Sequence, residues 1–193
     1  MADTNKIVYG LSKCYYAVAT IANDGSATYG TPVAIPGAVN LSMSGQGETN
    51  PFYADNIVYY TSISNSGYEG TLEVAKLPDA FFKDVLGYKV GANGILYEDA
   101  NAAPVHFALM FEFQGDAHAK RGVFYNCVAT RPDVASSTKE ASITPNTETV
   151  NITATTVYAL NTDIVKGSAV QGDSAYSNWF SAVTLPTAPA ATT

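Results

Sequence analysis

Positive charge is scarce in this sequence: ten Lys and Arg stand against seventeen Asp and Glu over 193 residues, a formal net charge of −7. Tight binding to DNA or RNA needs clustered cations to neutralise phosphates, so that class is excluded. A surface past which DNA slides without sticking is compatible with the same balance. Charge of either sign is low, at 14%, against about a quarter in typical soluble domains. A surface so poor in charge suits being covered by neighbours.

Other absences narrow the chemistry. Two cysteines, Cys14 and Cys127, are too few for a disulfide framework, and buried free thiols are the expectation. Two histidines, His106 and His118, with only a loose Asp116-Ala117-His118 grouping beside them, fall short of the three or four ligands of a metal site. There is no G-x-S-x-G elbow, no G-x-x-x-x-G-K-[ST] and no G-x-G-x-x-G. No catalytic residue, metal or cofactor is therefore expected. No apolar run approaches the roughly 18 residues of a membrane span, and MADTNKIVYG lacks the charged and apolar pattern of a signal peptide. A protein made and folded in a cytoplasm, without membrane insertion, is the expectation.

What is abundant points to strands and turns. Thirteen tyrosines accompany fifteen glycines and nine prolines, and aromatic rings pack well on a pleated surface. The stretch FYADNIVYYTSISNSGYEGTLEV, Phe52 to Val74, predicts two strands folded on one another, Ile57–Ile63 and Tyr68–Val74, reversing at Ser64-Asn65-Ser66-Gly67. In the second arm Tyr68, Gly70, Leu72 and Val74 share one face, while Glu69, Thr71 and Glu73 share the other, a face with carboxylates and no lysine.

Further strands are expected over 14–21, over 38–44 with Val39, Leu41 and Met43 on one side, and over 105–113. In the last of these Val105, Phe107, Leu109, Phe111 and Phe113 demand a central core. Over 122–130, Val123, Tyr125, Cys127 and Ala129 are expected on one face, and both faces look covered, one by the sandwich and the other by another subunit. The strand over 147–157 turns Val150, Ile152 and Ala154 inward and threonines and Asn151 outward, as an edge or solvated face. One helix is expected over 78–86, with Pro78 near its start, Gly87 at its end and Phe81, Phe82, Val85 and Leu86 as its apolar stripe. A second, short helix is expected over 175–182 behind an Asp173 cap. These elements fit one domain over 1–185, with 186–193 as a flexible tail.

FYADN followed by SNSGYEGTLEV, then HFALMFEFQGD and YNCVATRP, in that order over roughly residues 8–160, resembles the major tail protein, or tail tube protein, of long-tailed non-contractile bacteriophages and prophages of Gram-positive bacteria. The resemblance implies a mainly β fold: a β-sandwich or barrel with one flanking α-helix and a long β-hairpin, ring-forming. It further implies a structural virion protein with no enzymatic activity. Its subunits would build stacked hexameric rings that enclose a tape measure protein, meet tail terminator and distal tail proteins, and conduct viral DNA during ejection without sequence-specific binding. Rival readings of the residues are a secretion-system tube protein and a receptor- or carbohydrate-binding β-sandwich of a tail tip.

In a ring every carboxylate repeats in each subunit, so Glu69 and Glu73, with Thr71 between them, are candidates for a negative lumen lining. Phe52, Tyr53, Asp55, Tyr59, Tyr60, Tyr97, Asp116 and Arg121 are candidates for subunit and ring interfaces, since aromatic residues concentrate there. The loops over 45–56, 89–104, 114–121 and 131–146 are the expected contact segments.

Overall fold

The computed structural model describes residues 5–115, 117–136, 138 and 146–188. The β-branched and aromatic segments become strands: β1 (Leu11–Ile21), β2 (Ala27–Tyr29), β3 (Val33–Ile35), β4 (Ala38–Gln46), β5 (Thr49–Ala54), β6 (Ile57–Ile63) and β7 (Gly67–Val74). After the helix α1 (Asp79–Asp84) come β8 (Lys89–Val90), β9 (Leu96–Tyr97), β10 (Phe107–Phe113), β11 (Lys120–Ala129), β12 (Glu148–Thr155), β13 (Val157–Ala159), β14 (Thr162–Ile164) and β15 (Lys166–Val170).

The main sheet is antiparallel and runs β2-β1-β10-β11-β12-β7-β4, with β3 also on β1 and β15 also on β11. It is an open sheet, not a closed barrel. It curls so that β4 comes beside β1 without pairing to it, and the concave side holds the larger core. There Tyr16, Leu72, Val74, Phe107, Leu109, Val150 and Ile152 are buried together. Each such side chain contributes about 1.5–3 kcal/mol on removal from water.

The helix plugs this core. Pro78, in extended conformation, precedes it, and Gly87, at φ +74°, ends it in the left-handed region that favours glycine. Phe81, Val85 and Leu86 are buried, and Phe81 meets Tyr16 edge-on at 5.2 Å and Phe107 at 5.7 Å between ring centroids. The Tyr16 hydroxyl donates to Asp84 Oδ2 at 2.8 Å, fastening the helix to β1.

The alternation in β12 is as expected, with Val150, Ile152 and Ala154 buried and their neighbours outward; the strand is interior to the sheet, between β11 and β7, rather than an edge. Two expectations are corrected by bulges, and a third bulge lies in β1. Between Phe107 and Leu109 of β10, facing Cys127 and Phe124, β11 carries one extra residue. Consequently Cys127 and Ala129 face the concave core, while Val123 and Tyr125 face the other side. An irregularity between Ala38 and Asn40 leaves Val39 exposed, with Ala38, Leu41 and Met43 against the core. In β1 the extra residue is Lys13, at φ +50°, which lets Leu11, Cys14 and Tyr16 all reach the core.

The convex side of β1, β10 and β11 is covered by the chain's own C-terminal segment, not left for another subunit. Ala108, Met110, Val123 and Tyr125 form a second core with Trp179, and Phe180, Val183 and Leu185 pack around it. Phe180 stacks on Tyr15 at 4.6 Å. The expected helix over 175–182 is instead a run of turns, closed by bonds such as Tyr176 N–H to Asp173 O at 3.0 Å and Ser181 N–H to Asn178 O at 3.0 Å. Trp179, Phe180 and Val183 still share one apolar side, but a three-residue hydrogen-bond step replaces the four-residue one.

Candidate functional site

The hairpin read from the sequence is present in a different pairing. β6 folds on β5, not on β7, and the reversal lies at Asp55-Asn56, both with positive φ (52° and 61°). Paired left-handed residues between two strands make the type I′ turn whose twist matches a β-ribbon. β4 pairs with β7 from Ala38↔Val74 to Gln46↔Gly67, and β5 with β6 from Thr49↔Ile63 to Ala54↔Ile57. Backbone bonds from Ser64 N–H to Glu48 O at 2.9 Å and from Ser66 N–H to Gln46 O at 2.8 Å join the two sections. The result is one ribbon from 38 to 74, rooted in the main sheet and free over 49–63. Of the loop expected over 45–56, residues 45–46 and 49–54 lie in its strands.

Every residue of β6 is exposed. Phe52, Tyr53, Tyr59 and Tyr60 lie on the arm, with Tyr59 70% exposed, and so do Ile57, Val58 and Ile63, the last 79% exposed. Contiguous apolar surface of this kind marks interaction sites. The sequence signal for the tip was an Asp-Asn pair flanked by apolar residues; the Ser-Asn-Ser-Gly cluster that begins nine residues after Asp55 masked it. Tyr68, by contrast, is half-buried beside Phe124 at 5.3 Å between centroids. Tyr97 is 46% exposed on the small β8–β9 hairpin. Asp116 lies outside the described residues, as do parts of 131–146 and the end of the tail.

Arg121 is turned inward, leaving little of it for a neighbour. Its side chain is 12% exposed; Nε donates to Glu112 Oε2 at 2.6 Å, Nη1 donates to Tyr176 O, and the guanidinium lies 3.8 Å from the Tyr176 ring centroid. His106 Nδ1 is 2.7 Å from Asn126 Oδ1, and the His118 backbone N–H donates to Asn5 Oδ1 at 2.7 Å. Among the described residues no three His, Cys, Asp or Glu side chains gather as metal ligands.

Glu69, Thr71 and Glu73 lie on the convex face at the uncovered end of the sheet. Ser44, Ser42 and Asn40 of β4 stand opposite them on one side. Thr153, Asn151 and Thr149 of β12 stand opposite on the other. Glu73 Oε1 accepts a bond from the Thr147 hydroxyl at 2.6 Å. The patch is hydroxyl- and amide-rich, and two carboxylates are the charged groups of this nine-residue register. β11 therefore divides the convex face: one part is sealed by the C-terminal segment and the other is open and polar.

A protein-family model described as phage tail tube protein matches residues 2–176, nearly the whole chain. No curated protein matches it.

Proposed function

The chain belongs to the phage tail tube family, a structural component of the virion tail, and from that premise we propose that it closes into hexameric rings that stack into the tube. The observation that carries this reading is the free, apolar arm over 49–63 on a chain matched to that family. Assembly would bury those side chains. The arm, with Phe52, Tyr53, Asp55, Tyr59 and Tyr60, supplies contacts between subunits, and Tyr97 contributes a smaller one.

In the tube the polar patch around Glu69, Thr71 and Glu73 lines the lumen. A ring repeats both carboxylates in every subunit, and at physiological salt their field extends about 8 Å, enough to keep DNA phosphates off the wall. Serine, threonine and asparagine complete the nine-residue register, and no cation stands among those residues to hold the duplex. The tube encloses a tape measure protein, meets terminator and distal tail proteins at its ends, and conducts DNA without reading its sequence. The role is mechanical, with no enzymatic step and no cofactor. Residues 1–185 act as one ring-forming domain with 186–193 as a tail, made in the cytoplasm of a bacterial host, a Gram-positive one by resemblance.

Negative-stain electron microscopy of concentrated protein, with light scattering across a dilution series, tests the reading. Hollow tubes or rings with a central hole are the expected result. A chain that stays monomeric even with tape measure and tail-tip proteins present overturns it.

A further inference from the structure

β11 changes neighbour along its length. Asn126–Ala129 pair with β12, whereas Lys120–Phe124 pair with β15. Where the two neighbours part, the wall made by β4 and β7 separates from the wall made by β10, β11 and β15. A cleft of about 440 Å³ opens between them, with Leu41, Met43 and Tyr68 on one side and Phe111, Phe113 and Phe124 on the other. Lys120 and Lys166 stand at its lining, both exposed, and among the described residues no acidic side chain lines it. Lys166 Nζ is 4.5 Å from the Tyr68 ring centroid.

The arm has the complementary character. From 48 to 65 it carries the carboxylates of Glu48 and Asp55 and no Lys, Arg or His. Its apolar side chains are uncovered. Seven residues of extended strand reach roughly 23 Å at about 3.3 Å each, so the tip stands well clear of the subunit's own sheet.

We propose that the tip of the arm in one copy, Tyr53 to Val58, seats in this cleft of a second copy of the chain. Its apolar side chains lie against Tyr68, Phe111 and Phe113, and the Asp55 carboxylate faces Lys120 and Lys166. The contact joins two different surfaces, so it is heterologous and repeats from copy to copy, as a ring or a tube requires. It deepens the tail tube reading and rests on it for the identity of the partner.

Two single variants, Asp55→Cys and Lys166→Cys, mixed at high concentration under mild oxidation, test the docking directly, since native Cys14 and Cys127 are buried. A disulfide between copies is expected at about tenfold the yield of Asp55→Cys mixed with Thr149→Cys, which places the second thiol on the polar patch. In a second arm, Lys120→Glu with Lys166→Glu slows assembly about tenfold or more, and adding Asp55→Lys to the same chain restores part of the rate.

A mixed-variant yield no higher than the Thr149 control overturns the docking. So does wild-type assembly by the charge-reversed protein. Either result, obtained while tubes still form, leaves the tail tube reading standing. Failure of tubes with a high yield of the disulfide does the reverse. A disulfide formed only within one copy of an Asp55→Cys/Lys166→Cys double variant gives the cleft to the chain's own arm, and capture of a different tail component by cleft cysteines in virions gives it to that component; both refute the proposal.

Discussion

Glu112 and Arg121 stand opposite each other on β10 and β11, Nε to Oε2 at 2.6 Å, with side chains 6% and 12% exposed. The pair does more than join two strands. Arg121 also holds the Tyr176 carbonyl and lies near the Phe180 ring, at 4.9 Å from its centroid, so it latches the C-terminal segment over the second core. Lys13 Nζ adds a bond to Glu112 Oε1 at 2.9 Å from a half-exposed position.

Burial alone raises the Glu112 pKa, but hydrogen bonds from Arg121 and Lys13 outweigh it and hold the carboxyl below its ordinary value of 4.5. A depressed folded-state pKa gives stability that is present above the unfolded value and lost as pH falls through the folded one. The wild-type protein should therefore begin losing this contribution below about pH 4.5, and Glu112→Gln should flatten that limb of the curve. At pH 7, Glu112→Ala leaves a buried guanidinium without its partner and should cost about 3 kcal/mol. For a chain of this size that is roughly 6–12 °C in Tm. Calorimetry across pH checks both, and an acid limb unchanged in Glu112→Gln would remove the pair from the account.

The arm should be energetically separate from the core. Asp55 and Asn56 hold positive φ, and a β-branched residue there costs about 1–2 kcal/mol per position. Asn56→Val should therefore disorder the tip while Tm stays within about 2 °C of wild type, because no core cluster includes an arm residue. Assembly, followed by light scattering, should fall sharply. A matching drop in Tm would show that the arm packs on its own subunit.

The thiols offer a probe of opening. Burial pushes Cys14 up to about 12 from 9.0, and it raises Cys127 as well. At pH 8 the thiolate fraction of Cys14 should be about a thousandfold below that of a free cysteine, so alkylation of the native protein should be slow. Labelling followed by mass spectrometry should show both cysteines reacting together, at the rate of global unfolding. Early labelling of Cys14 alone would place a local opening at the β1 bulge.

The strands that the sequence revealed are those whose period stays intact. β12 alternates without interruption, and β10 carries Phe107, Leu109 and Phe111 into the core as its odd positions demand. Where an extra residue enters, the period breaks, and Val39 and Cys127 fell on the wrong face for that reason. The arm was legible as strand but not in its partner. Pairing is a long-range choice, and both Asp55-Asn56 and Ser64–Gly67 carry turn chemistry. The Asn65 side chain does make a local turn, accepting from the Gly67 N–H at 3.1 Å, but the chain there continues along the ribbon rather than reversing. The cover over Tyr125 and Met110 was invisible for a different reason: Trp179 and Phe180 meet them from more than fifty residues away, through turns with no strand or helix period.

Charge reversal on the polar patch separates a lumen lining from an ordinary solvated face. Glu69 and Glu73 have serine, asparagine and threonine, not cations, as cross-strand partners, so Glu69→Lys with Glu73→Lys breaks no ion pair there and costs chiefly the Thr147 bond to Glu73. Tm and ring formation should be close to wild type. In a tube the new cations would repeat around every ring, within about 8 Å of a passing duplex at physiological salt, and phosphates would exchange their counterions for them. Ejection of DNA from phage carrying the variant should slow markedly at low salt and recover as salt rises, since counterion release makes that attraction salt-dependent. Ejection at the wild-type rate at low salt, from particles with normal tails, would move the lumen away from the β4–β7–β12 face.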